Sequence, residues 1–249
     1  MKTQSLNKGM KPFRSFVTDE TKNSVSQYLQ EFEDAVVSTH ERIERNGHTF
    51  FTPRTFDKKV PNKMIISALQ GDEPAGWMGL LEFVKNNKPK NVNVTYVPIF
   101  SKETFESGEH EDDANENPNH NIPYDPSREA KRFLTMQEYW LPLASGGFID
   151  LHEDPYREEG YAFVWSDRGD LGDRIVSLIG ENFNLFHEPR SPIFATNGKI
   201  QNDDQGMLGD YMSKLGVSPS ITSETPVVNT DLNKRIDVNI KIIREFLDD

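Results

Sequence analysis

The chain has 249 residues, a formal net charge of −12 and no cysteine, and 35% of its residues are hydrophobic. That length accommodates one large α/β core, while the acidic balance, with no Lys/Arg-rich block, argues against a surface that tracks nucleic-acid phosphates or an anionic membrane. Without thiols there is no disulfide framework and no thiolate metal site, so any bound metal must be held by nitrogen and oxygen ligands.

The segment Met1 to Glu20 holds basic residues but no apolar run of roughly 7 to 15 residues that could serve as a secretion signal. No later stretch reaches transmembrane length, so the expectation is a soluble, cytoplasmic protein. Over residues 19–46, Val25, Tyr28, Leu29, Phe32, Ala35, Val36 and Ile43 recur at spacings of three and four, which predicts an amphipathic helix closing near Gly47. Residues 1–47 are accordingly expected to be a helical N-terminal extension of a single catalytic domain covering 1–249. A β-rich stretch from His48 to Phe56 follows, then the apolar run Lys63 to Leu69, which reads as a strand buried on both faces. Pro74 to Asn87 reads as a helix with proline in its first turn.

Strands are predicted at Val92 to Phe100, Gly147 to His152, Gly160 to Trp165 and Ser218 to Glu224, with an extended piece at Pro192 to Ile200. Helices are predicted at Ser127 to Leu143, Leu171 to Phe183, Met207 to Leu215 and Asn229 to Leu247. This alternation implies an α/β fold, a largely parallel sheet covered on both faces. Ser101 to Asp125 stands apart: it carries Glu103, Glu106, Glu109, Glu111, Asp112, Asp113 and Glu116 with almost no apolar periodicity. A loop of this length is usually functional or disordered, and it reads either as a solvated acidic loop or as a wall of an active site.

Ligands of open α/β sheets bind at the carboxyl ends of strands, and three polar signals sit there. Lys63 to Leu69 runs into Gln70-Gly71-Asp72-Glu73, Gly147 to Leu151 into His152-Glu153-Asp154, and Ser218 to Ser223 into Glu224. Gln70 and Glu73, three apart in a strand-to-helix turn, can face one point, with Gly71 and Gly76 allowing a tight backbone path. Adding the His152 imidazole gives one amide oxygen, one carboxylate and one nitrogen, a set that leaves a coordination position open as catalytic zinc sites do. Asp72, Glu153 and Asp154 lie close enough in sequence to raise a second, co-catalytic ion as an alternative. His40, on the first predicted helix, and His187 default to surface roles.

Ala68-Leu69-Gln70-Gly71-Asp72-Glu73-Pro74-Ala75-Gly76 resembles the H-G-x-E-x-x-G signature of the zinc carboxypeptidases and their aspartoacylase and succinylglutamate desuccinylase relatives. Ile149-Asp150-Leu151-His152 is similar to that family's D-x-H strand, and Thr222-Ser223-Glu224 to the segment bearing its catalytic glutamate. The resemblance spans Lys63 to the C-terminus. It implies a three-layer α/β/α sandwich around a mostly parallel, mixed sheet, with one Zn2+ held by Gln70, Glu73 and His152. It also implies Glu224 as general base and acid in the hydrolysis of a peptide or N-acyl amino acid amide.

Two departures stand out. Glutamine occupies position 70 where the family commonly has histidine, which keeps the charge of the metal site but offers a weaker ligand. His110 and His120 stand ten apart, where the family has two arginines. In the resemblance, His110 would stabilise the oxyanion, and Asn119 and His120 would bind substrate. Histidine cannot reproduce the bidentate guanidinium fork, so a peptidase, an N-acyl amino acid deacylase and a non-catalytic binding homologue all remain open readings.

Overall fold

A computed structural model describes residues 17–19, 22–122, 124–167, 169–188, 195–200 and 206–249. In strand β5 (Asn62–Ser67) the side chains alternate: Ile65 joins one apolar cluster, Met64 and Ile66 another. Strand β7 (Gly147–Asp154) repeats the pattern, sending Ile149 and Leu151 one way and Phe148 the other. Successive residues of a strand point to opposite faces, so a central sheet with both faces apolar needs a helical layer on each.

The first layer contains α1 (Val25–Val36), α2 (Pro74–Asn86), α6 (Leu171–Gly180) and α8 (Leu232–Asp248), which contribute Tyr28, Leu80, Ile175 and Ile242 to the Ile65 cluster. The second contains α4 (Arg128–Leu134), α5 (Gln137–Trp140), a 3-10 turn (Leu141–Ala144) and α7 (Leu208–Lys214). These bring Phe133, Trp140, Ala144 and Met212 against Met64 and Ile66. The three-layer α/β/α expectation holds.

The remaining strands are β1 (Val17–Asp19), β2 (Lys22–Asn23), β3 (His40–Arg45), β4 (His48–Pro53), β6 (Asn93–Val97), β8 (Glu159–Ser166), β9 (Asn184–Leu185), β10 (Ala195–Thr196), β11 (Lys199–Ile200) and β12 (Ser220–Pro226). The main sheet runs β10-β11-β8-β12-β7-β5-β6-β4-β3, with β9 pairing to β8. Its centre, β12-β7-β5-β6, is parallel, while β8 joins β12, and β4 joins β6, in antiparallel fashion. The sheet is therefore mixed.

Several predicted boundaries move. The helix expected over 19–46 begins after its Ser24 cap, whose side chain accepts from the Gln27 amide, and ends at Val36. Residues 40–45 instead form β3, paired to β4 through a turn in which Asn46 and Gly47 have φ of 47° and 90°. Asn-Gly is the dipeptide a two-residue hairpin turn favours, and it overrides the helical spacing of Ile43. His40 thus lies on a strand, and residues 25–47 belong to the sheet and its first layer rather than to an appended extension.

Strand β5 stops at Ser67, two residues short of the expected end, because Ala68 turns left-handed with φ 52°. The predicted helix over 127–143 is broken into α4, α5 and the 3-10 turn. The acidic stretch contains a helix of its own, α3 (Lys102–Ser107), capped by the Ser101 hydroxyl on the Thr104 amide. Of the extended segment 192–200, residues 195–200 form the β10–β11 hairpin and the rest lies outside the described residues, as do Met1 to Phe16. Among the described residues, no helix is long and apolar enough to cross a membrane.

Candidate active site

Because β5, β7 and β12 are adjacent and parallel, their carboxyl ends open on one edge of the sheet. There, Gln70, Glu73, His110, Asn119, His120, His152 and Glu224 all line a single cavity of about 250 Å3. All seven residues singled out from the sequence are thus brought together. His120 sits at the exposed rim, while Gln70, Glu73, Asn119, His152 and Glu224 are buried.

The turn after β5 is shaped by close packing. A Cβ on Gly71 would lie 1.8 Å from the Thr104 carbonyl oxygen, and one on Gly76 would lie 2.7 Å from that of Leu151. Close backbone approach, and not positive φ, is what these glycines provide. With the turn seated, Glu73 Oε2 accepts from the Glu153 amide at 3.1 Å and lies 2.8 Å from His152 Nδ1. Glu73 Oε1 is 3.7 Å from His110 Nδ1, which also meets Asp72 Oδ1 at 3.2 Å.

Glu73 and His152 are both buried and in direct contact, so their titrations are linked. Burial pushes the Glu73 carboxyl up, with the His152 charge opposing. Burial also works against a charged His152, yet Glu73 and Asp150 outweigh it and hold the imidazole well above its usual range. Burial likewise lifts Glu224 far above the ordinary carboxylate range, opposed by the charge on His152 and helped by the carboxylates of Glu73, Asp154 and Asp150. The hydrogen bond that His110 Nδ1 donates to Asp72 is the main cause that raises His110.

Asn119 Oδ1 accepts from the Leu208 amide at 2.8 Å, which turns its Nδ2 toward His152 Nε2 at 3.1 Å. Both ends of Asn119 are therefore engaged with the protein, so it braces the imidazole rather than offering a free group to substrate. Asn117, not singled out from the sequence, links three parts of the site. Its Oδ1 accepts from Gln70 Nε2 at 2.9 Å and from the Asn119 amide at 2.8 Å, and its Nδ2 meets His110 Nε2 at 3.1 Å. Glu153 and Asp154, raised in the sequence only as possible ligands of a second ion, line the cavity as well, and so do Tyr156, Tyr161 and Met207, which were not singled out. No spacing in the sequence marks them, since they depend on how the chain turns after β7.

The residues at the cavity floor fit a cation. Gln70 Oε1 is buried without a hydrogen-bond partner, because Asn117 fixes the amide through its nitrogen. A buried polar atom left bare is costly. Asp150, wholly buried, has neither oxygen hydrogen-bonded and lies 3.5 Å from His152 Nε2. A proton moved to Nε2, with Asn119 Nδ2 withdrawing from that nitrogen, would give Asp150 a partner and free Nδ1 for a metal, the carboxylate–histidine pairing that commonly backs a metal ligand. Asp72, Glu73 and His110 additionally place ligand atoms within 4.8 Å of one another.

No family model and no curated protein matches the sequence; the likeness is to solved structures. A Shewanella denitrificans protein assigned as a metallopeptidase superposes with a TM-score of 0.82 at 21% identity, over 90% of this chain and 89% of that one. A metallo-carboxypeptidase from Burkholderia cenocepacia gives 0.66 at 14% identity, over 91% of this chain and 69% of that one. A succinylglutamate desuccinylase from Silicibacter gives 0.56 at 18% identity, over 80% of this chain and 59% of that one. The chain has the zinc carboxypeptidase-like fold that these metallopeptidase, carboxypeptidase and desuccinylase structures share.

Proposed function

We propose that the protein is a zinc-dependent amide hydrolase acting on a peptide, with peptidoglycan-derived peptides among the candidates. The observation that carries this reading is the convergence of Gln70, Glu73, His152 and Glu224 from three neighbouring strand ends on one buried cavity, with Gln70 Oε1 lacking a partner. Gln70, Glu73 and His152 would hold the ion, whose Lewis acidity polarises the scissile carbonyl and acidifies water.

Glu224 takes a proton from the attacking water on its carboxylate and delivers it to the departing nitrogen. Burial raises its affinity for a proton, which suits it to hold the proton between the two halves of that task. His110, whose proton affinity is raised by its contact with Asp72, lines the cavity and would serve as the donor for negative charge developing on the carbonyl oxygen once its Nε2 releases Asn117 Nδ2. Asn119 and Asp150 hold the His152 ring in place, and His120 at the rim is positioned to meet the substrate's polar end.

A second reading, an N-acyl amino acid deacylase, is favoured by one feature: among the described residues that line the cavity there is no arginine or lysine to grip a peptide carboxylate. The test is metal analysis of the purified protein, then hydrolysis of C-terminal peptides, muropeptides and N-acyl amino acids with and without chelator. Glu224→Gln is expected to lower turnover by about 10²- to 10⁴-fold with metal retained, and His152→Ala to lose both. A protein that binds no divalent metal, or a Glu224→Gln variant with full turnover, would refute the proposal.

A further inference from the structure

The acidic stretch singled out in the sequence is only partly used by the candidate active site. On its far side, Glu103 of α3, Asp112 of the following loop and Glu129 of α4 bring carboxylate oxygens within 4.8 Å of one another. Acidic side chains cluster on many surfaces without a ligand, but this cluster is lined by buried, bare oxygens. Asp112 is 6% exposed and Glu129 7%. Asp112 Oδ2 and Glu129 Oε2 are both buried without a hydrogen-bond partner.

Asp112 is oriented by its other oxygen. Oδ1 accepts from the amides of Ala114 at 2.9 Å and Glu116 at 3.0 Å, so the turn fixes the side chain and leaves Oδ2 to the cluster. Existing cations satisfy the group only in part. Arg128 meets Glu103 at 2.5 Å from the exposed side, but stands 3.7 Å from Glu129 Oε2, and Arg132 stands 3.8 Å from Glu129 Oε1. Burial accordingly raises the Glu129 carboxyl.

We propose that Glu103, Asp112 and Glu129 form a calcium site that fastens the acidic loop to the helices on either side of it. The donors are all hard carboxylate oxygens with no nitrogen or sulfur, the set that Ca2+ takes. Oxygens about 2.4 Å from a Ca2+ ion can lie up to about 4.8 Å apart, so oxygens within 4.8 Å of one another, as here, are close enough to share one ion. Ca2+ also tolerates irregular geometry and completes its shell with water, whereas Mg2+ demands a near-ideal octahedron.

The site would act on the candidate active site through the loop. Between α3 and α4 the chain carries His110, Asn117, Asn119 and His120, and the Glu109 carbonyl accepts from the Gly71 amide at 2.8 Å. An ion gripping Asp112 from α3 and α4 would hold that loop against the turn bearing Gln70 and Glu73. The inference does not rest on the catalytic proposal, because none of its three ligands lines that cavity.

The experiment titrates calcium chloride and, separately, magnesium chloride into the chelator-treated, zinc-reloaded full chain by calorimetry and by thermal unfolding. One Ca2+ per chain with a rise in Tm is expected, and weaker Mg2+ binding. Asp112→Asn and Glu129→Gln are expected to weaken Ca2+ by about tenfold or more while zinc content stays unchanged. Should those buried variants not fold, Glu103→Gln, at the partly exposed corner, gives the same readout in a folded protein. Absence of Ca2+ binding by the parent chain, or undiminished affinity in the folded variants, would overturn the proposal, and equal affinity for Mg2+ would overturn its assignment to calcium.

Discussion

His48 offers a direct test of how the second helical layer is held. It is 1% exposed, on β4, with its ring 5.0 Å from that of Phe100 and 5.5 Å from that of Phe133. Nε2 lies 3.2 Å from the Glu129 carbonyl, so it carries the ring proton and donates, and Nδ1 is buried without a partner. Burial pushes the imidazole down from 6.5 to about 4. The unfolded chain therefore takes a proton before the folded one does, and stability from this group is complete above about pH 6.5 and is lost as pH falls toward 4. At 1.36 kcal/mol per pKa unit the loss is about 3 kcal/mol. Urea unfolding followed by circular dichroism between pH 7 and pH 4 should show the parent chain losing about 3 kcal/mol more than His48→Gln, which keeps a donor for Glu129 but cannot titrate. Stability curves for the two proteins that stay parallel to within about 0.5 kcal/mol would refute the reasoning.

Other perturbations probe the frame around the site. Arg235→Ala strips the buried Glu153 carboxylate of its partner at 2.6 Å, and should cost about 3–5 kcal/mol in denaturant unfolding, with part recovered on adding Glu153→Gln. Gly71→Ala forces a methyl into the Thr104 carbonyl; thermal unfolding should register a loss of about 3 kcal/mol, and a folded variant of unchanged Tm would contradict the close packing described.

The parts of the fold legible in the sequence are those whose residues signal their own burial. Strand β5 is centred on the apolar run Met64-Ile65-Ile66, and α2 and α8 carry enough apolar residues to be read from periodicity alone. Strand β3 is not of that kind: His-Glu-Arg-Ile-Glu-Arg has one apolar residue and no buried position at the sheet edge. What marks it is the Asn46-Gly47 turn, a local conformational signal that outranks a distant helical spacing. Helix α3 hides for a related reason, since Phe105 is its one buried aromatic and its cap, Ser101, sits in an otherwise acidic run. In the site, Gln70, Glu73, His152 and Glu224 could be found because strand ends concentrate chemistry. Asn117 could not, because its role is to satisfy Gln70, His110 and Asn119 at once, a three-way contact that no linear pattern encodes.

Register explains why the strand-end residues meet at all. Glu224 pairs with His152 across the parallel β12–β7 ladder, so the proposed general base and the proposed imidazole ligand are neighbours on one face; slipping either strand by one residue would turn its side chain into the opposite layer. The next residue uses that opposite face. Glu153 accepts from the Ala75 amide at 2.6 Å through one oxygen and from Arg235 of α8 through the other, while its own amide donates to Glu73. The start of α2 and the end of β7 thus hold each other reciprocally: the carboxylate of 153 binds the helix, and the carboxylate of 73 binds the strand. Placing a histidine and a glutamate in sequence at a strand end gives the cavity wall one imidazole and one carboxylate that anchors α2 and α8. The position of Glu73 therefore depends on α8, a helix that contributes no residue to the cavity lining.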